Sequence, residues 1–344
     1  MLGAPAVSDR VAQAVVRLYR EPDVEPILHP DSYGYRPGRS ALDAVAVCRR
    51  RCWGYDWVVD PGVRSFCDSL DHDLVPRAAA QHTHLRWVLL YVERWLKAPL
   101  QREDGARVER DRGTPQGSAI PPLLASLLLR HAFDRWMARG FPDVPFERYA
   151  DDAVARCATE AQAREVLGAI VARLAEVGLE VHPDKARIVY CKDADRTGSA
   201  EHERFDFLGC TFRPRLSRSR HGKHLVNFSP AVSDEARKAI GREIRSWRID
   251  RRSDEALTDL ARMLDPIVQG WINYYGRFCK SMAYPPLRRL DEHLVRWAMR
   301  RCERLRGHLA RAVRWLAGVA RREPGLFAHW RMGLRPDGWT VGAG

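Results

Sequence analysis

The sequence predicts an α+β fold: a sheet of the βαββαβ type packed with helices, then an all-helical region. Two observations predict it. Between residues 57 and 191 the patterns run strand, helices, hairpin, helix, strand, which is the order of a split βαβ unit. Beyond about residue 230 period-two alternation stops and helical spacing takes over, as in ARKAIGREIRSWRIDRR and HLVRWAMRRCERLRGHLARAVRWLAGVARR.

The elements follow in order. Residues 8–22 read as an amphipathic helix with Val11, Val15, Val16 and Leu18 on one side. HPDSYGYRPGRS (29–40) is dense in turn formers and reads as a loop; residues 41–53 resume helical spacing. WVVD (57–60) starts a strand, and DHDLVPRAAAQH and WVLLYVERWLKAP read as helices. After a Gly/Pro-rich loop at 113–117, PLLASLLLRHAFDRWMARG is a strongly apolar helix with Gly140 at its stop. PFERYADDAVARC fits a hairpin turning at Ala150–Asp152. From Thr159 to Leu179 a helix is signalled by the Thr159/Gln162 capping pattern, a stripe of Leu167, Ile170, Val171, Leu174 and Val177, and Gly178 as terminator. ARIVYC is a strand, KDADRTGSAEHE a polar linker, and FDFLGCTF another strand or hairpin arm.

The charge is unevenly distributed. The 344 residues carry a formal +13. From Arg204 onward there are 29 Lys/Arg against 14 Asp/Glu, whereas residues 1–203 hold 28 against 30. A basic C-terminal region interleaved with Trp and Tyr suits a polyanion, nucleic acid first, through phosphate contact and base stacking. None of the eight cysteines forms a CxxC pair, and no Cys/His cluster has zinc spacing, so reduced thiols in a cytoplasmic protein are expected. The first residues lack the pattern of a signal peptide, and no apolar run of about 18 residues exists to span a membrane.

Asp151 and Asp152 adjoin on a tight turn. Adjacent carboxylates repel unless something neutralises them, and two hard oxygen ligands on one turn suit Mg²⁺. A pair of such ions about 3.5–4 Å apart stabilises both the attacking and leaving oxygens of phosphoryl transfer. A bare Asp-Asp turn is equally compatible with two solvated acids.

The surrounding motifs are more specific. SYGYRPGRSALDAV, WVLLYVERWLKAPLQ, RGTPQGSAIPPLLA, PFERYADDAV, VHPDK, RFDFLGCTF and GWINYYGRF occur in that order over nearly the whole chain. The set resembles the reverse transcriptases of mobile group II introns, the intron-encoded maturase family. The resemblance implies a right-hand polymerase: fingers (in part) and palm over residues 1–228, a helical thumb or maturase domain over 229–330, and a C-terminal tail at 331–344. It implies RNA-directed DNA synthesis on an RNA template from a DNA primer with deoxynucleoside triphosphates, two Mg²⁺ ions, and binding of intron RNA. Asp151 and Asp152 then hold metal, and the Tyr149 ring lies near the primer terminus. Gln116 lines the nucleotide pocket and Lys185 approaches the triphosphate. Arg36 and Arg39 contact template or phosphate, with Arg36 alternatively bracing its loop. Gly209 belongs to the segment supporting the primer, where Phe205 and Phe207 serve as core or contact. Arg245, Arg248, Arg251 and Arg252, with Arg277 in GWINYYGRF, face RNA, while Trp271 and Tyr274 fit core as well as contact.

The chain departs from the family pattern in VVDPGVRSFCDSLDH. Anchoring on Phe66, Asp68 and Asp71–His72 puts Gly62 where the resemblance calls for a third metal-binding aspartate. Cys67 falls where a bulky aromatic would screen the sugar 2′ position, and Pro121 replaces a serine. Asp60 shares a strand face with position 62 but lies roughly 6.6 Å back along the chain. The chain opens in the middle of the first fingers motif, and no endonuclease domain follows Trp330, so a truncated member with an impaired metal site is expected. Aspartate at position 62 is then expected to raise activity. The alternative is a catalytically inactive, RNA-binding splicing cofactor.

Overall fold

In the computed structural model, residues 5–102, 104–114, 117–218, 222 and 224–336 are described. The chain divides into two units: Met1–Leu208 with Arg213–Phe228, and Gly209–Phe212 with Ser229–Gly344. Among the described residues no helix is long and apolar enough to cross a membrane.

The first unit opens with α1 (Val7–Val24), α2 (Ala41–Arg51), β1 (Trp57–Asp60), α3 (Phe66–Ser69), α4 (Leu74–Ala80) and α5 (Arg86–Lys97). A short ribbon, β2 (Leu100–Gln101) and β3 (Arg107–Val108), precedes α6 (Pro121–Leu129) and α7 (Arg135–Gly140). Then come β4 (Phe146–Tyr149), β5 (Asp152–Cys157), α8 (Glu160–Glu176) and β6 (Arg187–Tyr190). The four-stranded sheet has the order β4-β5-β1-β6, and its neighbours all run antiparallel. This is the split unit the sequence signalled: β1 inserts between the hairpin and the strand that follows the crossover helix.

The two sheet faces bury different chemistry, because strand side chains alternate. Val59, Ala153, Ala155 and Cys157 face the apolar core with α8 residues Ala163, Val166, Ile170 and Leu174. On the other face Arg156 donates to Glu147 at 2.7 Å, and Arg51 of α2 donates to the same carboxylate at 2.7 Å. Burial pushes the Glu147 carboxyl up, opposed by those two guanidinium groups.

Three expectations change in detail. α1 forms, but Val11 and Leu18 are 60% and 69% exposed; Val16 and Val24 are the apolar side chains it buries. Val171 of α8 is exposed, and Val166 takes its place on the buried stripe. The apolar helix before the hairpin is not uniform: a π-helical turn, Arg130–Asp134, joins α6 to α7. One extra residue in the turn rotates the register of side chains, and Asp134 is thereby fully buried against Arg148 of β4, with contacts of 2.7 and 2.6 Å.

The chain continues through β7 (Phe205–Phe207), β8 (Cys210–Arg218) and β9 (His224–Val232), a three-stranded sheet of order β7-β8-β9. Strand β9 was not distinguished in the sequence, and it reaches the point where helix was expected. The second unit is helical beyond it: α9 (Asp234–Ser246), α10 (Leu257–Tyr275), α11 (Lys280–Arg301), α12 (Leu309–Arg322) and α13 (Ala328–Arg331). Leu260, Leu264, Leu290, Leu294, Leu316 and Trp330 lie in its core. Fully buried Asp291 accepts from His329 Nε2 at 2.8 Å and Trp330 Nε1 at 2.9 Å, which ties α13 to α11.

Replacing Asp134 by alanine strands a buried guanidinium. The expected cost is about 3–5 kcal/mol, read as a lowered urea midpoint with unchanged slope. A loss below about 1 kcal/mol would mean the pair contributes no more than a surface bridge.

Candidate active site

The acids sit on a two-residue turn between β4 and β5. Tyr149 pairs with Asp152, so Ala150 and Asp151 form the bend. Ala150 adopts a left-handed backbone, φ 56°, a conformation that costs an alanine free energy and persists only where the surroundings impose it. Two constraints impose it. Arg148, clamped by Asp134, donates from Nη1 to the Ala150 carbonyl at 2.9 Å. The loop 29–40 lies along β4: Arg148 N donates to Asp31 O at 2.9 Å and Tyr33 N to Arg148 O at 2.8 Å. Gly34 is required at the end of this contact, since a Cβ there would stand 2.3 Å from Ala150 N. The next residue, Tyr35, is left-handed too (φ 58°) and 57% exposed, its ring 6.1 Å from that of Tyr149.

Asp152 Oδ2 accepts from Leu208 N at 3.4 Å. Burial pushes the Asp152 carboxyl up to about 7; the Leu208 amide opposes this and the Asp151 charge adds to it. Asp60 ends β1 opposite Arg187 of β6. Burial, then the Asp152 charge, pushes Asp60 up to about 7 as well, with Arg187 opposing. Asp60 and Asp152 share a face, because Val58 pairs with Arg156 and each acid lies an even number of residues away. Asp60 is thus electrostatically coupled to the turn, although it is one repeat short of the position facing Asp152.

That position is Gly62. Carried three residues past the Val59–Ala155 pair, the register would set residue 62 opposite Asp152. The strand stops first. Gly62 is left-handed (φ 58°), its carbonyl accepts from His182 N at 2.8 Å, and a Cβ would stand 3.0 Å from Lys185 Cβ. The expectation that aspartate at 62 raises activity meets a physical obstacle: the backbone there disfavours any L side chain, and the Lys185 Cβ would have to give way.

The remaining candidates fall in several places. Lys185 is exposed. Cys67 lies beside Asp151, whose charge, after burial, pushes the thiol up. Thr114 N donates to Cys67 O at 2.8 Å, fixing the start of the TPQG loop; Gln116 lies outside the described residues. Arg36 is corrected from a ligand contact to a brace: buried, it donates to the Glu25 carboxylate at 2.7 Å and to the His29 and Ser32 carbonyls, each at 2.7 Å. Arg39 donates to Pro30 O at 2.5 Å and lies over the Tyr33 ring at 5.5 Å, so it too stiffens the loop. Phe205 and Phe207 are core.

In the second unit, Gly209 has φ 72°, with Tyr275 Oη 3.4 Å from where a Cβ would be. Arg245, Arg248, Arg251 and Arg277 are exposed. Arg252 is corrected to a brace, bonding Trp247 O at 3.0 Å and Glu255 at 2.7 Å. Trp271 stacks on Trp247 at 5.4 Å and packs against the core. Asp134, Gly34, Tyr35 and Arg187 were not singled out in the sequence. Gly34 alone carried a signal, as a small residue between two tyrosines.

Asp151, Asp152 and Asp60 offer anionic oxygens only, and burial with mutual repulsion raises two of them. A hard divalent cation relieves that repulsion, so the residues fit one. Among the described residues no group of three or more His, Cys, Asp or Glu is assembled as a metal site.

A split βαβ sheet with paired aspartates at the hairpin tip defines the palm of a nucleotide polymerase. The chain belongs to the reverse transcriptase family: residues 1–212 match Reverse transcriptase (RNA-dependent DNA polymerase), and residues 237–315 match Group II intron, maturase-specific domain. It is 31% identical over 137 residues to the group II intron-encoded protein LtrA of Lactococcus lactis subsp. cremoris, covering 40% of this chain and 22% of that protein. It is 27% identical over 265 residues to Protein YkfC of Escherichia coli (strain K12), covering 65% of each. The solved telomerase of Candida albicans, in complex with a TWJ fragment of telomeric RNA, aligns with a TM-score of 0.44 at 11% identity, over 96% of this chain and 56% of that one. The chain thus spans 22% of the length of LtrA.

Gly34→Ala should lift the loop from the acid turn and lower stability by about 1–3 kcal/mol; an unchanged urea midpoint would refute the close approach. Gly62→Asp should lower the melting temperature and leave nucleotide incorporation no faster than in the parent. A faster, equally stable variant would show that the backbone at 62 adapts.

Proposed function

We propose that this chain is an RNA-directed DNA polymerase of the group II intron type, joined to a maturase domain that binds intron RNA. In this reading residues 1–228 are fingers and palm, 229–330 thumb and maturase domain, and 331–344 a tail. The observation that carries it is the Asp151–Asp152 turn, held rigid from both sides by Arg148 and the loop 29–40. Asp151 and Asp152, with Asp60 behind them, would hold Mg²⁺, two ions in all; when bound, these offset the negative charge that develops on the transferring phosphoryl group.

The chain's own residues supply the positioning that dominates phosphoryl transfer. The Leu208 amide orients Asp152. Tyr149 and the exposed Tyr35 flank the turn where the primer 3′-hydroxyl would meet the nucleoside triphosphate. Lys185 offers a cation to the triphosphate, with Gln116 in the nucleotide pocket, and Cys67 leaves room beside Asp151 for the sugar. Gly209 belongs to the primer support. Arg245, Arg248, Arg251 and Arg277 present guanidinium groups to intron RNA, which is read through shape and backbone.

The second reading is an RNA-binding splicing cofactor that does not polymerise. What favours it is Gly62, which leaves the strand without a carboxylate facing Asp152.

Primer extension on poly(rA)/oligo(dT) with Mg²⁺ separates the two. Synthesis that Asp152→Asn lowers by roughly 10²-fold or more supports the polymerase. If the parent makes no product yet binds RNA, the cofactor reading stands instead. In either case replacing Arg245, Arg248 and Arg251 by alanine should weaken RNA binding. It should also flatten the salt dependence by up to about one logarithmic unit for each arginine that neutralises a phosphate. An unaltered salt slope would remove these arginines from the interface.

A further inference from the structure

Three buried thiols meet where α2 ends. Cys48 lies in its last turn, Cys52 is its C-cap, and Cys191 follows β6. The segment after Cys191 wraps the helix end. Cys191 N donates to Asp56 O at 2.8 Å, and Arg196 donates to Tyr55 O at 2.7 Å and to Cys52 O at 2.9 Å. Arg156 Nη2 reaches the Cys48 sulfur at 2.8 Å. The acid turn uses none of these sulfurs, and among the described residues they are not assembled as a metal site, which leaves thiol chemistry. The three are not equivalent. Burial pushes the Cys52 thiol up, but hydrogen bonds from the Cys191 and Cys48 thiols, then the Arg156 and Arg196 charges, outweigh it and bring Cys52 well below the usual thiol range. Cys48 and Cys191 are held well above that range, by burial first and then by donating to Cys52. A thiolate beside protonated thiols is the arrangement of an attacking sulfur with a resolving partner.

Cys48 is the poorer partner. Four residues apart on a helix, two Cβ atoms stand about 5–6 Å from each other, against about 3.5–4.5 Å across a disulfide. Its sulfur is also engaged by Arg156. Cys191 comes from a separate segment and carries neither restraint. We propose that Cys52 and Cys191 are a modification site, closing to a reversible intrachain disulfide when the protein meets hydrogen peroxide. The Cys52 sulfur attacks a peroxide oxygen and the O–O bond breaks. Hydroxide leaves, takes up the proton that Cys52 had released, and Cys52 is left as a sulfenic acid. The Cys191 sulfur then attacks that sulfur, the S–O bond breaks, and the departing hydroxide carries off the Cys191 proton as water. Two thiols thus lose two electrons, and one peroxide becomes two waters. Both thiols are buried, so peroxide reaches them by local opening of the wrapped segment. The bond staples the end of α2 to the end of β6, one residue beyond the Arg51 that holds Asp31 and Glu147.

The test needs neither nucleic acid nor catalysis, so its outcome is independent of the polymerase reading. The full folded chain is treated with hydrogen peroxide, denatured, alkylated with iodoacetamide and digested without reductant. Mass spectrometry then maps the linked peptides. The expected map joins the Cys52 peptide to the Cys191 peptide in a chain that runs as a monomer on a non-reducing gel, and dithiothreitol removes the link. The link should persist in C48S. In C191S it should vanish, and Cys52, lacking its partner, should go on to sulfinic acid. The parent's own map decides, so a variant that fails to fold leaves the test intact. The site is overturned by any of four results in the parent: a Cys48–Cys52 link, a Cys52–Cys191 link between two chains, sulfinic acid on Cys52 without a link, or three thiols that alkylate as fully after peroxide as before. Loss of the link in a folded C48S overturns it as well.

Discussion

The buried pair between Arg148 and Asp134 is the constraint on which the acid turn depends. A carboxylate and a guanidinium removed from water each lose several kcal/mol of solvation, recovered only when geometry and further hydrogen bonds are good. Here they are: two contacts below 2.8 Å join the ions, and the third guanidinium nitrogen of Arg148, Nη1, donates to the Ala150 carbonyl. That carbonyl belongs to a left-handed alanine, so the ion pair holds a bend the backbone would otherwise relax. The π turn is what brings Asp134 round to meet it. An irregularity in a helix thus fixes the direction of two carboxylates that follow Asp134 by 17 and 18 residues.

The same logic extends under the hairpin. Glu147, one residue before Arg148, points to the opposite face and is shared by Arg51 and Arg156. Arg51 also binds Asp31, at the start of the loop that lies along β4. The hairpin is therefore gripped by ion pairs on both faces, and the loop that carries Gly34 and Tyr35 is tied to one of these networks. Apolar packing would stabilise the sheet as well, but it would not set a bend to a particular angle. Directional, desolvated hydrogen bonds do, and a site that needs positioning more than covalent chemistry benefits from them.

What the sequence made legible follows from what kind of force each residue reports. The hairpin, the crossover helix and the helical second unit were readable because alternation, capping and period 3.6 are local. The acid pair was readable because it is contiguous. The π turn was not, since RHAFD differs from ordinary helix only in where its partner Arg148 lies. Arg252 looked like a ligand contact, and Arg36 stood between ligand contact and loop brace, because a sequence shows charge and conceals partners; in the structure their partners are Glu255 and Glu25. Strand β9 escaped because its end, SPAV, is buried without alternating. The exposed face of α1 was misread for a related reason: valines at helical spacing mark an apolar stripe but not what covers it.

Gly62 bears on how the site is organised. In the proposed reading a third carboxylate is wanting at this position, and a glycine there would ordinarily leave a gap that an aspartate could fill. Here the backbone is left-handed, and a new Cβ would stand 3.0 Å from the Lys185 Cβ. The position has been absorbed into the contact between the end of β1 and the turn before β6, where the Gly62 carbonyl holds the His182 amide. Meanwhile Asp60, two residues earlier, shares a face with Asp152 and is coupled to it by charge. Anionic charge beside the turn is thus carried by Asp60 as well, with Arg187 offsetting it from β6. In the proposed polymerase reading, glycine at 62 and the charge pattern of the adjoining strand belong together. The consequence for catalysis depends on whether a cation can draw Asp60 toward the turn, not on the identity of residue 62 alone.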